Sequence, residues 1–299
     1  MGRSHSLSDK IFDIINYTLL IILVIITLYP FINTVAVSLN NAQDSIRGGI
    51  YLWPREFTWA NYKYILSDNN IVNASIISVL RTVIGTIVTV LSSAMVAFAI
   101  SRPHFVLRKF VTIAFILTMY INAGLIPNYL LIRDLGMIGT FSVYILPGII
   151  GVFNLIVIRS FIENLPDSII ESAKIDGAGE FRAFFSIVLP LSAPVLATVS
   201  LFTGVFQWNS WFDVFLYNSS HIDLSTLQYE LQKILASSSS VSQKTAADAF
   251  ANVNSSASMV TPTSIRAAMT MIASIPIICV YPFLQKYFVK GMMVGGVKG

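Results

Sequence analysis

Apolar residues run in six long blocks divided by polar connections, at residues 14–39, 75–100, 110–132, 141–161, 191–217 and 264–288. Each approaches or exceeds the roughly 20 largely apolar residues a helix needs to cross a hydrocarbon core about 30 Å thick. The pattern predicts an all-α, polytopic membrane protein with six transmembrane helices. It divides into an N-terminal tail (1–13), a first helix (14–39), an outer connection (40–74), a five-helix core (75–288) and a C-terminal tail (289–299). Ala36-Val37-Ser38 imitates a cleavage site. The first block nevertheless outruns the roughly 7–15 residue apolar core of a signal peptide, and it reads as a retained helix.

Composition agrees. Of 299 residues, 11% are charged and 55% hydrophobic, with a mean hydropathy of +0.72. A soluble domain carries about 25% charge, so this chain lacks the polar surface to wrap its core. A net charge of +4 with no dense basic patch excludes nucleic-acid binding. The single cysteine, Cys279, permits no internal disulfide and reads as a small buried hydrophobe.

Lys and Arg set the expected orientation. Arg102, Arg108 and Lys109 crowd the short turn at 101–109, Arg3 and Lys10 lie in the first tail, and Lys286, Lys290 and Lys298 lie near the end. The connection 40–70 instead dilutes Arg47, Arg55 and Lys63 with Asp44, Glu56 and Asp68, and 218–262 holds only Lys233 and Lys244. Both termini and the connection 162–190 are therefore expected in the cytoplasm. The outward segment 218–262 is Ser- and Ala-rich at 237–242 and 252–258, as in a flexible loop. Apolar spacing at 224–235 suits a short helix, and so large an outer loop is placed to meet an external partner. The chain has no internal repeat.

Catalytic chemistry is missing. There is no GxxxxGK[ST] phosphate loop and no Gly-x-Ser-x-Gly elbow, and His5, His104 and His221 sit on separate loops. No catalytic residue, metal site or cofactor bound by this chain is expected. Charges beside spans are functional candidates by default. Arg81 lies about 19 residues before the inner end of its block, hence roughly 28 Å away at 1.5 Å per residue, where it can snorkel to outer water. Asp213 closes the run Trp208-Asn209-Ser210-Trp211-Phe212-Asp213. These tryptophans read either as interfacial anchors or as part of a pathway mouth whose indole faces stack on a sugar ring. Trp208, Asn209, Trp211 and Asp213 are accordingly the candidate pathway or substrate contacts. Gly124 and Pro127 in the third block, and Pro147, Gly148 and Gly151 in the fourth, predict kinks. Irregular backbone at membrane depth survives only against protein or a water-filled cavity.

The connection 162–190 carries the strongest signal. Ser168-Ile169-Ile170-Glu171 fits a capping box, so a short helix is expected to begin at Ser168 and stop near Gly177 in a left-handed turn. Ser172 and Ala173 are small enough to let another surface approach. A second amphipathic helix follows, with Phe181, Phe184, Phe185 and Val188 at helical spacing, and Pro190 marks entry to the fifth span. A plainer reading is an interfacial helix resting on lipid headgroups.

Glu171-Ser172-Ala173, then Gly177, then Ile187-x-Leu189-Pro190 resemble the "EAA" loop of ABC importer permeases. Asp176-Gly177-Ala178, Leu189-Pro190-Leu191, Trp208-Asn209 and the closing Gly295-Gly296-Val297-Lys298-Gly299 resemble its carbohydrate subgroup, in particular the smaller permease subunit of maltose-type importers. The likeness extends along the whole chain and is nearest to permeases for oligosaccharides released from polysaccharides. It implies the type I ABC importer permease fold and a bacterial plasma-membrane location. The implied partners are a second homologous permease, two ATPase subunits that carry ATP and Mg, an extracytoplasmic sugar-binding protein and membrane lipid. It further implies that the helix at 167–177 docks on the ATPase, with Glu171 as the polar contact, Gly177 setting the turn, and Ser172, Ala173, Asp176, Leu189 and Pro190 completing the coupling loop. Ser172 stands where the family usually has Ala. The loop 218–262 corresponds to the part that reaches the binding protein. Rival readings are an ABC permease for another small solute and an ion-coupled secondary transporter; the missing intramembrane carboxylate relay argues against the latter.

Overall fold

The computed structural model describes residues 7–241 and 260–296. Arg3, His5, Lys244, the run 252–258 and the closing Val297-Lys298-Gly299 lie outside the described residues, as do the side chains of Lys286 and Lys290. The chain forms two compact units, one from residues 1–68 and 233–274, the other from 69–232 and 275–299. Every element named below is a helix or helical turn.

The first unit opens with α1 (Leu7–Ser38), whose side chains from Ile11 to Phe31 are exposed and overwhelmingly apolar. Such a surface is stable in hydrocarbon, since the helix satisfies its own backbone hydrogen bonds. The following connection holds α2 (Ala42–Ile46) and α3 (Ala60–Leu66), and polar bonds organise it. Asn40 and Arg55 donate to the Asp44 carboxylate, both at 2.9 Å, and Asn61 donates to the carbonyls of Ser38 and Asn40.

The second unit is built on α4 (Asn69–Ser101). Its buried stripe includes Ser78, Arg81, Gly85, Thr89, Ser93 and Ala97, at steps of three and four residues, while Val79, Leu80, Val83, Ile84 and Ile87 point outward. Small and polar residues inside with apolar residues outside is the arrangement of a helix facing lipid on one side and close-packed neighbours on the other. The third block is two helices, α5 (Arg108–Tyr120) and α6 (Leu125–Asp134), whose axes turn through 120°. Gly124, at φ 91°, makes that turn. The bend is far sharper than a proline kink, because four non-helical residues separate the helices.

The fourth block starts as 3₁₀ turns at Phe141–Tyr144 and Leu146–Gly148 and becomes α7 (Val152–Ile162) after a 48° bend. Next come α8 (Asp167–Ile175) and α9 (Glu180–Ala183), a π-helical turn at Phe184–Val188 and α10 (Leu189–Leu191). An 80° bend then leads into α11 (Ala193–Asn209). The fifth block breaks at Ser210, and α12 (Phe212–Tyr217) continues it. The segment after α12 forms α13 (Leu227–Val241), which starts three residues later than expected and carries the helix into the Ser-rich run. The last helix is α14 (Pro262–Gly296). Among the described residues, α1, α4 and α14 are long and apolar enough to span a membrane alone, and counting each of the three bent pairs as one span gives up to six.

Cys279 corrects an expectation, for it is exposed rather than buried. It lies beside the exposed Ile278 and Val280 of α14, so an apolar run is no guide to burial when the surrounding solvent is itself apolar.

Candidate functional site

The elbow between α7 and α11 is assembled from local rules. Pro166, at φ −61° and ψ 123°, precedes the first turn of α8, so the helix starts at Asp167 and Ser168 already lies inside it. The capping box expected at Ser168 and Glu171 is therefore not made. Ser172 instead donates to the carbonyl of Ser168 at 2.7 Å, and Glu171 is exposed with no hydrogen bond or ion pair among the described residues. The other end of α8 forms as predicted. Gly177 adopts φ 80°, its N–H donates to the Lys174 carbonyl at 3.0 Å, and the Ala178 N–H donates to the Ala173 carbonyl at 2.9 Å. This is the paired bonding of a Schellman turn. A Lys174–Glu180 ion pair spans it, and Asp176 is exposed at the helix cap.

One face of α8 holds the elbow to the membrane unit. Ile170 is buried in the main core with Phe98 of α4, Ile158 and Ile162 of α7, and Phe184, Val188 and Val199 beyond the elbow. Ala173, one turn on, is buried too. The opposite face presents Glu171, Ser172 and Ile175, the last 86% exposed. So the small Ala173 admits the chain's own bundle, while Glu171 and Ser172 face outward. Sequence reading overlooked the exposed Ile175; an isoleucine beside a cap in so short a helix was its only signal.

Phe181 and Phe185 are exposed where a continuous amphipathic helix would have buried them with Phe184 and Val188. The π turn at Phe184–Val188 widens the winding that carries Phe185, while Phe181 lies in α9 before it. The turn lies just before Pro190, whose ring cannot tolerate an ordinary helical carbonyl four residues back. Leu189 packs on the core and Pro190 is exposed.

At the other end of α4, Arg81 is 2% exposed. It does not snorkel, because protein groups satisfy it. Nε donates to Gln207 Oε1 at 2.9 Å, Nη1 to the Ser210 carbonyl at 3.2 Å and to Asp213 Oδ1 at 3.0 Å, and Nη2 to Asp213 Oδ2. The guanidinium also lies over the Tyr144 ring, 4.6 Å from its centroid. Tyr144 donates to the Leu224 carbonyl, and Asn218 donates to the Tyr144 hydroxyl and the Thr140 carbonyl. The polar network thus ties α4, the broken fourth span and α12 together. Two opposite charges, each in an otherwise apolar span, were the available signal for this pairing.

A cavity of about 440 Å³ lies near the elbow, between Phe98, Arg102 and Phe181. A second, of about 570 Å³, opens beside the broken fourth span and is lined by Tyr144, Gly148, Asn154, Phe206, Gln207 and Asp213 among others. Thr89 donates to the Gly148 carbonyl and the Gly151 N–H donates to Ser93, so α4 takes up part of the freed backbone. The four residues expected as a contact patch are dispersed. Asp213 lines this cavity, whereas Trp208 lines a small one of about 120 Å³ with Gly204 and Pro276. The exposed Asn209 bonds back to the Val205 carbonyl, and Trp211 packs on Phe212 and Phe215. The break at Ser210 separates what an unbroken helix would have aligned.

Residues 71–294 match the family model described as "Binding-protein-dependent transport system inner membrane component". The chain belongs to that family. The match takes in both the elbow and the cavity of this inner membrane component. The "Polygalacturonan/rhamnogalacturonan transport system permease protein YtcP" of Bacillus subtilis (strain 168) is 35% identical over 293 residues, covering 98% of this chain and 100% of that protein. Protein LplC of the same organism is 36% identical over 304 residues, covering 100% of each. A chain in the crystal structure of a bacterial ABC transporter involved in the import of the acidic polysaccharide alginate superposes with a TM-score of 0.85 at 28% identity, over 96% of this chain and 100% of that one.

Proposed function

We propose that this chain is one of two non-identical permease subunits of an ATP-driven importer for oligosaccharides, of the kind released from acidic polysaccharides. It performs no covalent chemistry. Two ATPase subunits hydrolyse ATP with Mg on the cytoplasmic side, where both termini of the permease and the elbow also lie. An extracytoplasmic binding protein delivers the sugar on the other side of the bacterial plasma membrane. The observation that carries the reading is the two-faced α8: Ile170 and Ala173 anchor it in the core, while Glu171, Ser172 and Ile175 stand free to dock. Force on the outer face passes through the Gly177 turn, Leu189 and Pro190 into α11, and so to the cavity wall. ATP then shifts the population between the two access states by binding one state better than the other. The relatives that carry polygalacturonan, rhamnogalacturonan or alginate in their names support the cargo class.

The test is isolation of the tagged chain from its native host in mild detergent, with partners identified by mass spectrometry and sugar uptake followed as ATP is depleted. Recovery of an ATPase and a second permease, with uptake that stops without ATP, is the expected result. Recovery of the chain alone, still transporting after ATP is gone, would replace this reading with secondary transport.

A further inference from the structure

The cavity beside the broken fourth span has two features that the coupling mechanism does not use. The first is flat apolar surface: Phe206 of α11 and Phe153 of α7 both line the cavity and are 70% and 56% exposed. One residue on from each, Gln207 is buried and Asn154 half-buried, so each helix sets an aromatic ring beside an amide. The second feature is spare acceptor capacity. Asn154 donates through Nδ2 to Thr203 Oγ1 at 2.9 Å, and its Oδ1 has no partner among the described residues. Arg81 and Asp213 both line the cavity, and of the pair the arginine is 2% exposed and the aspartate 26%, so the carboxylate is the more open of the two. A carboxylate offers about four lone-pair sites, and Asp213 accepts from Arg81 twice and from the Val214 N–H once.

Acceptor oxygens beside aromatic faces match a polyhydroxylated ring. Its hydroxyls donate to the oxygens, while its C–H face rests on the negative face of the aromatic quadrupole. The volume of about 570 Å³ is that of a ligand site, which typically holds about 300–1,000 Å³. A wholly apolar solute would leave the Asn154 Oδ1 and the remaining acceptor site of Asp213 desolvated. We propose that this subunit contributes its own saccharide-contacting wall to the pathway, formed by Phe153, Asn154, Phe206 and Asp213, and that the wall reads hydroxyl groups and ring faces. The inference rests on the sugar-import reading above.

Uptake of radiolabelled trigalacturonate and maltotriose by cells of the native host, carrying chromosomal variants of this chain, tests the proposal. Immunoblots of the membrane fraction control for expression. Phe206→Leu keeps an apolar side chain without the flat face, and its maximal uptake rate is expected to fall about fivefold. Phe206→Tyr keeps the face and is expected to transport like the unmodified chain. A Phe206→Leu chain that transports normally, or a Phe206→Tyr chain as impaired as Phe206→Leu, would overturn the wall. If deleting the gene changes uptake of neither sugar, the sugar-import reading itself fails, and the wall with it.

Discussion

Arg81 on α4 and Asp213 on α12, 132 residues apart in sequence, meet as a two-point ion pair in which the arginine is almost fully enclosed. Enclosure decides what the pair is worth. Removing one member strands a charge away from water, at a cost of about 3–5 kcal/mol. Asp213→Ala is expected to lower the unfolding temperature of the detergent-solubilised protein sharply. Arg81→Leu combined with Asp213→Leu is expected to recover much of the loss, since no unpaired charge remains. A double variant as unstable as Asp213→Ala would contradict the assignment.

Gly85 guards the same network. A Cβ at this position would lie 2.7 Å from Gln207 Nε2 and 2.9 Å from its Cδ, so the glutamine must move and Arg81 loses a partner. Ala in place of Gly inside a helix ordinarily gains about 1 kcal/mol. Overpacking costs about 1–3 kcal/mol, and a lost hydrogen bond to a charged group roughly 1.5–3 kcal/mol, so destabilisation wins. Gly85→Ala is expected to melt at a lower temperature than the unmodified chain, and Gln207→Ala in that background to relieve the overpacking. The check is a thermal double-mutant cycle with a coupling energy clearly different from zero.

Gly177→Ala isolates backbone strain, because nothing lies within 4 Å of where its Cβ would go. Holding a non-glycine residue in the left-handed region costs about 1–2 kcal/mol. The expected consequence is fraying of the Schellman turn, seen as faster hydrogen exchange at the amides of residues 177 and 178. Exchange in α4 should be unchanged.

The connection between α1 and α4 has a pH dependence of definite sign. The Asn40 amide and then the Arg55 guanidinium hold the Asp44 carboxyl below its ordinary 3.8, against the opposing effect of its burial. A group whose folded pKa is depressed contributes stability above its unfolded pKa and loses it as the pH falls through the folded value. Residues 40–57 should therefore be most resistant to proteolysis above about pH 4 and loosen under stronger acid. Asp44→Asn should already be loosened at neutral pH and show little further change on acidification.

What could be read in advance was local. Gly177 ends α8 as its lack of a side chain suggests, and the glycines and prolines at 124–127 and 147–151 mark real breaks. Ser168 and Glu171 misled because two segments, a proline-set start and a capping box, competed for the same turn and Pro166 won. Trp208 and Trp211 have different surroundings, the small cavity beside Pro276 and the Phe212–Phe215 rings, because a break at Ser210 that nothing in their spacing announces falls between them. The Arg81–Asp213 pair and the wall around Asn154 depend on how separate helices pack, which periodicity along one helix does not encode.

The central claim is that the exposed face of α8 transmits ATP hydrolysis to this membrane subunit. It is tested most directly by reconstituting the complete transporter with Glu171→Lys in liposomes and measuring ATP hydrolysis and sugar uptake side by side. Glu171 is exposed and bonded to no described residue, so the variant should insert and fold normally. The predicted result is hydrolysis that no longer drives uptake, or loss of the ATPase subunits from the complex. Uptake at the normal rate per ATP hydrolysed, with all subunits present, would contradict the account.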